Sequence, residues 1–346
     1  MNIIYFGYNS FLKHKRGVEN VIDFQANTFL FTKVYYIHWG SKNAAYKANK
    51  FISISIKNCW YWPVILNLVL IRMYKKNNFF IHSHNPIFSF FSFFKTHLLT
   101  VHDGLYYLSK QRSLQLSILF YFIEYLLYYR CGFVHFISEF SKSKTCFGNR
   151  SNFKIIPNTS HLESKVGKSY KPKKSENIEI LIVRSIEERA NFHLLLNLAI
   201  KLKNLNYFFN VAGTGPLLTS FQSKVQQLNL SNVKFFGYVD DESLLNLYSK
   251  CQIVMMIAEY GEGFGLPIIE GYLFNKPVIA SNKCAIPEII ISKEFLFENN
   301  VDSISNALIM HSNLVKSNFR EYYDSKYSNQ LIYSIYNELY TKLSFK

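Results

Sequence analysis

Acidic side chains are scarce in the first half of this sequence. Residues 1–165 carry 6 Asp and Glu against 20 Lys and Arg, an excess of +14; the remainder carries 17 against 19, an excess of +2. A basic half beside a near-neutral half predicts different partners for the two. Nucleic acid is one candidate for the basic half. An anionic membrane surface is the other, because interfacial binding joins basic charge to apolar and aromatic side chains. Cysteine is also sparse: Cys59, Cys131, Cys146, Cys251 and Cys284 lie far apart with no C-x-x-C pair. That excludes a disulfide framework and reads as free thiols in a reducing cytoplasm. With 14 glycines and 8 prolines the chain is neither collagen-like nor low-complexity, and 49% hydrophobic residues exclude disorder. No apolar run has the length and purity of a membrane span, which needs about 20 residues. Trp60–Ile71 is short, the run from Phe79 to Phe94 contains His82, His84, Asn85 and Pro86, and Ser113–Tyr129 carries Glu124. Met1–Gly7 has no charged leader and no cleavage-like site, so no signal peptide is expected.

What is present is an alternation of strand and helix. Strands are expected at Asn2–Phe6, Lys33–His38, Phe51–Ser55, Phe79–His82, Leu98–His102, Phe133–Ile137 and Phe153–Ile156, with helices near Val18–Phe29, Ser113–Arg130 and Ser138–Phe147. Ser164–Asn177 is polar, Lys-rich and aperiodic, which reads as a linker. Alternation then resumes, with strands at Asn177–Arg184, Tyr207–Ala212, Val233–Val239, Gln252–Ile257, Pro277–Ser281 and Phe295–Phe297. Helices are expected between them at Phe192–Lys203, up to about Leu228, at Ser243–Lys250 and at Phe264–Phe274, with a helical tail from about Val301. Such a pattern predicts two doubly wound α/β domains with parallel sheets, each binding ligands at the carboxyl ends of its strands. The domains are expected at 1–165 and 166–325, with 326–346 a C-terminal helix returning to the first domain.

The strongest motif is Glu262-Gly-Phe-Gly-Leu-Pro-Ile-Ile-Glu270, followed by Pro277-Val-Ile-Ala-Ser281. Gly261, Gly263 and Gly265 leave the backbone open just before a helix, where exposed N–H groups bind phosphate. Glu262 in the loop can reach sugar hydroxyls; Glu270, about two turns into the helix, can project toward a ribose. The plainer reading leaves Glu262 to the helix dipole and Glu270 to a solvated face. Two arginines, Arg184 at a strand end and Arg189 in the next loop, can neutralise a diphosphate, unless Glu187 or Glu188 merely pairs with them. His102 ends an apolar strand, where a cleft histidine could hydrogen-bond a sugar. His82 and His84 alternate on a strand but lack a third partner for a metal. Asp240-Asp241-Glu242 follows a strand and precedes a helix, which reads as capping rather than as a metal site. No G-x-S-x-G elbow and no P-loop occur.

Taken together, Glu-x7-Glu in the setting EGFGLPIIEG, then KPVIAS and IPEI, resembles the retaining glycosyltransferases of family 4 (group 1 glycosyltransferases). The resemblance implies the GT-B fold: two Rossmann-like domains facing each other across a cleft. It implies His102, Glu262, Arg184 and Arg189 as catalytic residues. It implies donor contacts from Gly17, Gly213, Gly215, Tyr238, Val239, Gly263, Phe264, Gly265, Leu266 and Glu270. Arg16, Val183, Arg189, Asn275 and Ala285 depart from the family pattern. The implied reaction is metal-independent and needs no cofactor: a sugar passes, with retention, from a nucleotide-sugar, UDP-sugar favoured, to a glycan acceptor. A polyprenyl-pyrophosphate-linked acceptor in O-antigen or capsule synthesis fits the basic first half. So does an enzyme peripheral on the inner face of the cell inner membrane, with no nucleic-acid partner. The alternatives are a nucleotide-sugar epimerase on the same scaffold and a non-enzymatic basic membrane- or RNA-binding protein.

Overall fold

The computed structural model describes residues 1–10, 17–48, 50–110, 113–146, 152–166, 177–312 and 318–344. The chain divides into two compact units, Met1–His161 with Gln330–Lys346, and Leu162–Asn329. The boundaries read from the sequence lie at 165 and 325. Of the expected linker, residues 167–176 fall outside the described residues.

The first unit is built on an eight-stranded sheet. Its strands are β1 (Asn2–Phe6), β2 (Lys33–Gly40), β3 (Ala44–Ala48), β4 (Phe51–Lys57), β5 (Phe79–Ser83), β6 (Leu98–Val101), β7 (Phe133–Phe136) and β8 (Phe153–Ile155), in the order β3-β4-β2-β1-β5-β6-β7-β8. Helices α1 (Gly17–Gln25), α2 (Trp62–Tyr74), α3 (Pro86–Phe91), α4 (Leu105–Lys110), α5 (Leu114–Arg130) and α6 (Glu139–Ser143) connect them. Successive β1 side chains point to opposite faces, and both faces are covered. Ile4 and Phe6 pack with α2 and α3 through Leu66, Leu70 and Phe88. Ile3 and Tyr5 pack with Ile22 of α1 and with Ile332, Tyr336, Leu339 and Tyr340 near the chain's end. This two-sided burial is why β1 reads as an apolar run.

The second unit repeats the design with six parallel strands: β9 (Ile178–Val183), β10 (Tyr207–Ala212), β11 (Val233–Gly237), β12 (Ile253–Met256), β13 (Val278–Ser281) and β14 (Leu296–Phe297). Helices α7 (Phe192–Lys201), α8 (Leu218–Gln227), α9 (Asp241–Lys250), α10 (Leu266–Leu273), α11 (Ile286–Ile289), α12 (Val301–His311) and α13 (Phe319–Lys326) accompany them, and α14 (Asn329–Ser344) carries the chain back into the first unit. The order β11-β10-β9-β12-β13-β14 reverses direction between β9 and β12. In doubly wound sheets ligands bind outside the carboxyl ends at such a reversal.

The first sheet corrects one expectation. It is not wholly parallel: β3 runs antiparallel to β4 at the edge. Its sequence, Ala-Ala-Tyr-Lys-Ala, has little β-branched character to announce a strand. The preceding turn is held by Ser55 Oγ donating to the Lys42 carbonyl at 2.7 Å and by Lys57 N–H donating to Asn43 Oδ1 at 2.7 Å.

Candidate active site

In the second unit the reversal of strand order places two segments side by side. Arg184 follows β9, and the glycine-rich loop 257–265 follows β12. Arg184 Nη1 stands 3.2 Å from Glu262 Oε2, with side-chain exposures of 7% and 20%. The contact is ionic without hydrogen-bond alignment, so this buried Nη1 has no hydrogen-bond acceptor. Burial pulls the guanidinium's pKa down, and Glu262 opposes that shift; arginine stays charged.

Glycines seat Arg184. A Cβ on Gly213 would lie 1.9 Å from the Arg184 carbonyl oxygen, and one on Gly215 would lie 2.2 Å from that of Ile186. The Arg184 and Ile186 N–H groups donate to the Ala212 and Thr214 carbonyls, both at 3.0 Å. Gly213 and Gly215, expected as donor contacts, therefore bring the loop after β10 against the backbone that presents Arg184.

The loop into α10 is braced by Arg189. Its Nη1 donates to the Gly261 carbonyl at 2.6 Å, and its Nε donates to Glu187 Oε1 at 2.9 Å. The Glu187 pairing considered from the sequence is thus present, together with a second role in holding the loop. Gly261 (φ 65°) and Gly265 (φ 96°) occupy the left-handed region that favours glycine. Gly265 supplies no capping side chain to α10, leaving that helix N-terminus without a side-chain acceptor. Gly263 lies between them, Leu266 opens the helix half-buried, and Phe264 turns inward at 3% exposure.

Glu270 is the fifth residue of α10, little more than one turn in, because the helix starts only at Leu266. The solvated-face reading does not hold: Glu270 is buried and accepts from the Tyr248 hydroxyl at 2.7 Å. Burial and that carboxylate hold the Tyr248 phenol pKa well above its usual value. Exposed Tyr238 and half-buried Val239 follow β11, the edge strand of the sheet. Asp240 caps α9, its Oδ1 accepting from Ser243 N–H at 2.8 Å. Asp241 instead pairs with Lys165. No group of three or more His, Cys, Asp or Glu placed to hold a metal occurs among the described residues.

Sequence reasoning missed Glu259 at the same strand end. Its Oε2 accepts from Asn191 Nδ2 at 2.9 Å and Asn299 Nδ2 at 2.8 Å, and Lys283 Nζ lies 3.8 Å from Oε1. Its partners come from three distant segments, so nothing local in the sequence marks it.

In the first unit His102 lies one residue beyond β6, with its Nε2 2.9 Å from Nδ1 of His84. His84 Nε2 is 2.8 Å from Gln25 Oε1. Burial, with His135 adding, pulls the His102 pKa down to about 3. His82 faces Tyr340 and Thr100 hydroxyls, both at 2.7 Å, rather than a metal. Gly17 is the exposed first residue of α1, and residues 11–16 before it lie outside the described residues.

The description "Glycosyl transferases group 1" belongs to the family model that matches residues 168–323. The match covers most of the second unit. Among curated relatives, an uncharacterized 41.2 kDa protein in the cps region of Klebsiella pneumoniae is 28% identical over 173 residues, 48% of this chain and 46% of its own length. The O-antigen chain mannosyltransferase B of Escherichia coli is 38% identical over 74 residues, 21% of this chain and 19% of its own. The chain thus spans less than half the length of these relatives. Among solved structures, the sucrose-phosphate synthase of Thermosynechococcus elongatus has a TM-score of 0.81 at 16% identity, covering 99% of this chain and 98% of its own. Anabaena HepE in complex with UDP and glucose has a TM-score of 0.77 at 14% identity, covering 98% and 99%. At such identities the likeness speaks for the fold alone, and the fold is GT-B. The matched residues include Arg184, Arg189, Glu262, Glu270 and the glycine loops described above.

Proposed function

We propose that the chain is a retaining, metal-independent glycosyltransferase, moving a sugar from a nucleotide-sugar, UDP-sugar favoured, to a lipid-linked glycan in bacterial O-antigen or capsule synthesis. The observation that carries this reading is Arg184: a buried cation whose Nη1 has no hydrogen-bond acceptor among the described residues, at the reversal of strand order, beside a helix N-terminus without a side-chain cap. That arrangement suits a diphosphate, whose charge grows as the glycosidic bond breaks. In the proposed step the anomeric carbon leaves the donor phosphate oxygen, which keeps the electron pair. The same carbon bonds the acceptor oxygen on the same face, and the acceptor proton passes to the departing phosphate. Arg184, the charge of Arg189 and the α10 N–H groups stabilise that phosphate without a metal or other cofactor. Glu262 binds sugar hydroxyls, Glu270 the ribose, and His102 a sugar hydroxyl. The relative named for O-antigen mannosyl transfer and the UDP complex of HepE support the choice of pathway and donor.

The same reading places the enzyme against the anionic inner face of a membrane. No helix among the described residues is long and apolar enough to cross one. Helices α2 and α5 both pack against α3, and Arg130 at the end of α5 donates to the Phe90 and Ser92 carbonyls. This surface exposes Trp60, Phe93, Phe122 and Tyr129 beside the exposed cations Arg72, Lys75, Lys76 and Lys95. Aromatics next to cations suit an anionic interface.

A thermal-shift panel of UDP-, GDP- and dTDP-sugars tests the donor site, since a ligand at 100 times its Kd stabilises by about 2.7 kcal/mol. One donor should raise the Tm, and transfer from it should survive EDTA. No shift with any donor would sink the reading. Interconversion of the nucleotide-sugar without an acceptor would favour the epimerase instead.

A further inference from the structure

We propose that Gln25 and His84 are positioning residues for His102, fixing its ring as the Nε2–H tautomer so that Nδ1 accepts a hydrogen bond from a sugar hydroxyl. The proposal rests on the reading of His102 as a substrate-binding residue. Its basis is a chain of buried hydrogen bonds in the first unit that runs from Tyr336 through Gln25 and His84 to His102. A backbone carbonyl can only accept, so His135 donates from Nε2 to the Ile156 carbonyl at 2.8 Å. The neutral ring is left with Nδ1 as its acceptor, facing Thr100 Oγ1 at 2.9 Å, while Tyr336 Oη lies 3.3 and 3.4 Å from its two nitrogens. Gln25 donates from Nε2 to the Tyr336 hydroxyl oxygen at 2.8 Å. Gln25 thereby turns Oε1 toward His84 Nε2, and an amide oxygen only accepts, so His84 carries its proton on Nε2. His84 Nδ1 must then accept, and His102 donates to it from Nε2 at 2.9 Å. His102 Nδ1 keeps a lone pair, with no hydrogen bond to it among the described residues.

The other side chains leave this chain little freedom. Gln25 and His84 are 0% and 1% exposed. Burial holds His135 down at about pKa 4 and His84 well below the usual range, so each ring has one N–H and one lone pair near neutrality. Tyr336 sits on α14, so the last helix of the chain takes part in the hydrogen bonds that end at His102. An accepting Nδ1 selects a proton-bearing group at that point: a hydroxyl fits, whereas a carboxylate or a deoxy position leaves the lone pair unpaired.

The test uses the full chain labelled with 15N-histidine and needs no substrate. Loss of one signal set in His102→Gln assigns that residue. The expected spectrum gives His102 a protonated Nε2 and an unprotonated Nδ1. Gln25→Leu should mix the two His102 tautomers while His135, tied to the Ile156 carbonyl, keeps its pattern. Gln25→Glu, which still accepts from His84, should restore the wild-type pattern. On the donor found by the thermal-shift panel, Gln25→Leu should lower kcat about tenfold with little change in KM, and Gln25→Glu should recover most of it. A proton on His102 Nδ1 in the unaltered chain, which a reversed Gln25 amide would give, overturns the proposal even if Gln25→Leu fails to fold. So does a His102 pattern that Gln25→Leu leaves unchanged. Absence of any donor sinks the glycosyltransferase reading alone, because the spectra decide the tautomer without it.

Discussion

Arg184 would be a poor residue if its task were stability. A cation with 7% exposure is costly to desolvate, and its one ionic partner, Glu262, meets it without hydrogen-bond alignment. A cation kept in that state gains most when an anion arrives. Arg184→Gln should therefore lower transfer about ten- to a hundredfold, and Arg184→Lys should recover little, because an ammonium lacks the planar fork. Undiminished kcat/KM in both variants would remove the diphosphate site. Gly213→Ala should act similarly without touching the donor, since its Cβ would meet the Arg184 carbonyl at 1.9 Å. Gly237→Ala is the control. Its φ of 67° costs about 1 kcal/mol, but nothing lies within 4 Å, so urea melts should register it while donor affinity stays. At this scale the sequence marks Arg184, Glu262 and Glu270 as candidates, because motif spacing carries them. It did not reveal that Gly213 and Gly215 serve the Arg184 backbone, since close approach between two loops leaves no pattern in either. Asn275, a departure from the family glycine, is explained by its φ of 55°, which asparagine tolerates.

Elements were legible where both faces of a strand are buried. β1, β9 and β10 announce themselves as apolar runs, and Ser113 and Asp240 mark helix starts by capping them. The edge strand β3 did not, having one weakly apolar face. Nor did the sequence show that Tyr5, His82, Thr100, His135, Tyr336 and Tyr340 meet, because pairing between sheet and last helix is not local. That network has a consequence in acid. His82, His84, His102 and His135 all have lowered folded-state pKa values, chiefly from burial, and His38 and His97 are lowered too. Unfolded histidine titrates near 6.5, so below that pH the unfolded chain binds more protons than the folded one. Stability is then lost as pH falls toward the folded values, at about 1.4 kcal/mol per pH unit for each histidine kept neutral. Glu124 opposes this, its pKa raised by burial, but it is a single carboxyl. All three tryptophans, Trp39, Trp60 and Trp62, lie in the first unit. Tryptophan-detected urea midpoints should therefore drop between pH 7 and pH 5. A midpoint that stays level over that range would mean the histidines are not held neutral.

The molecule as a whole is two sheets of one design with very different surfaces, and the membrane reading depends on that difference. The first half carries the +14 excess, and α5 within it is apolar on its outward face as well as on its inward one. Its inward face includes Ser117 and Glu124, the latter accepting from the Tyr106 and Cys146 N–H groups at 3.1 and 3.3 Å. Its outward face shows Ile118 at 53%, Phe122 at 58% and Tyr129 at 83% exposure. In α5 apolar residues on every side hide the direction of the helix in the sequence. Water does not favour such a face, whereas an interface of anionic lipid does. Liposome flotation should recover the chain with anionic vesicles, less with neutral ones, and release part of it at high salt, since each nearby Lys or Arg contributes about 1 kcal/mol that salt screens. Two variants separate the contributions. Lys75→Glu with Lys76→Glu should remove the salt-sensitive part, and Phe122→Glu with Tyr129→Glu the part that persists at high salt. If both variants float as the unaltered chain does, another surface carries the attachment. If no vesicle retains the chain at all, the basic excess must serve the acceptor's phosphates, and the outward face of α5 must be covered by protein instead of lipid.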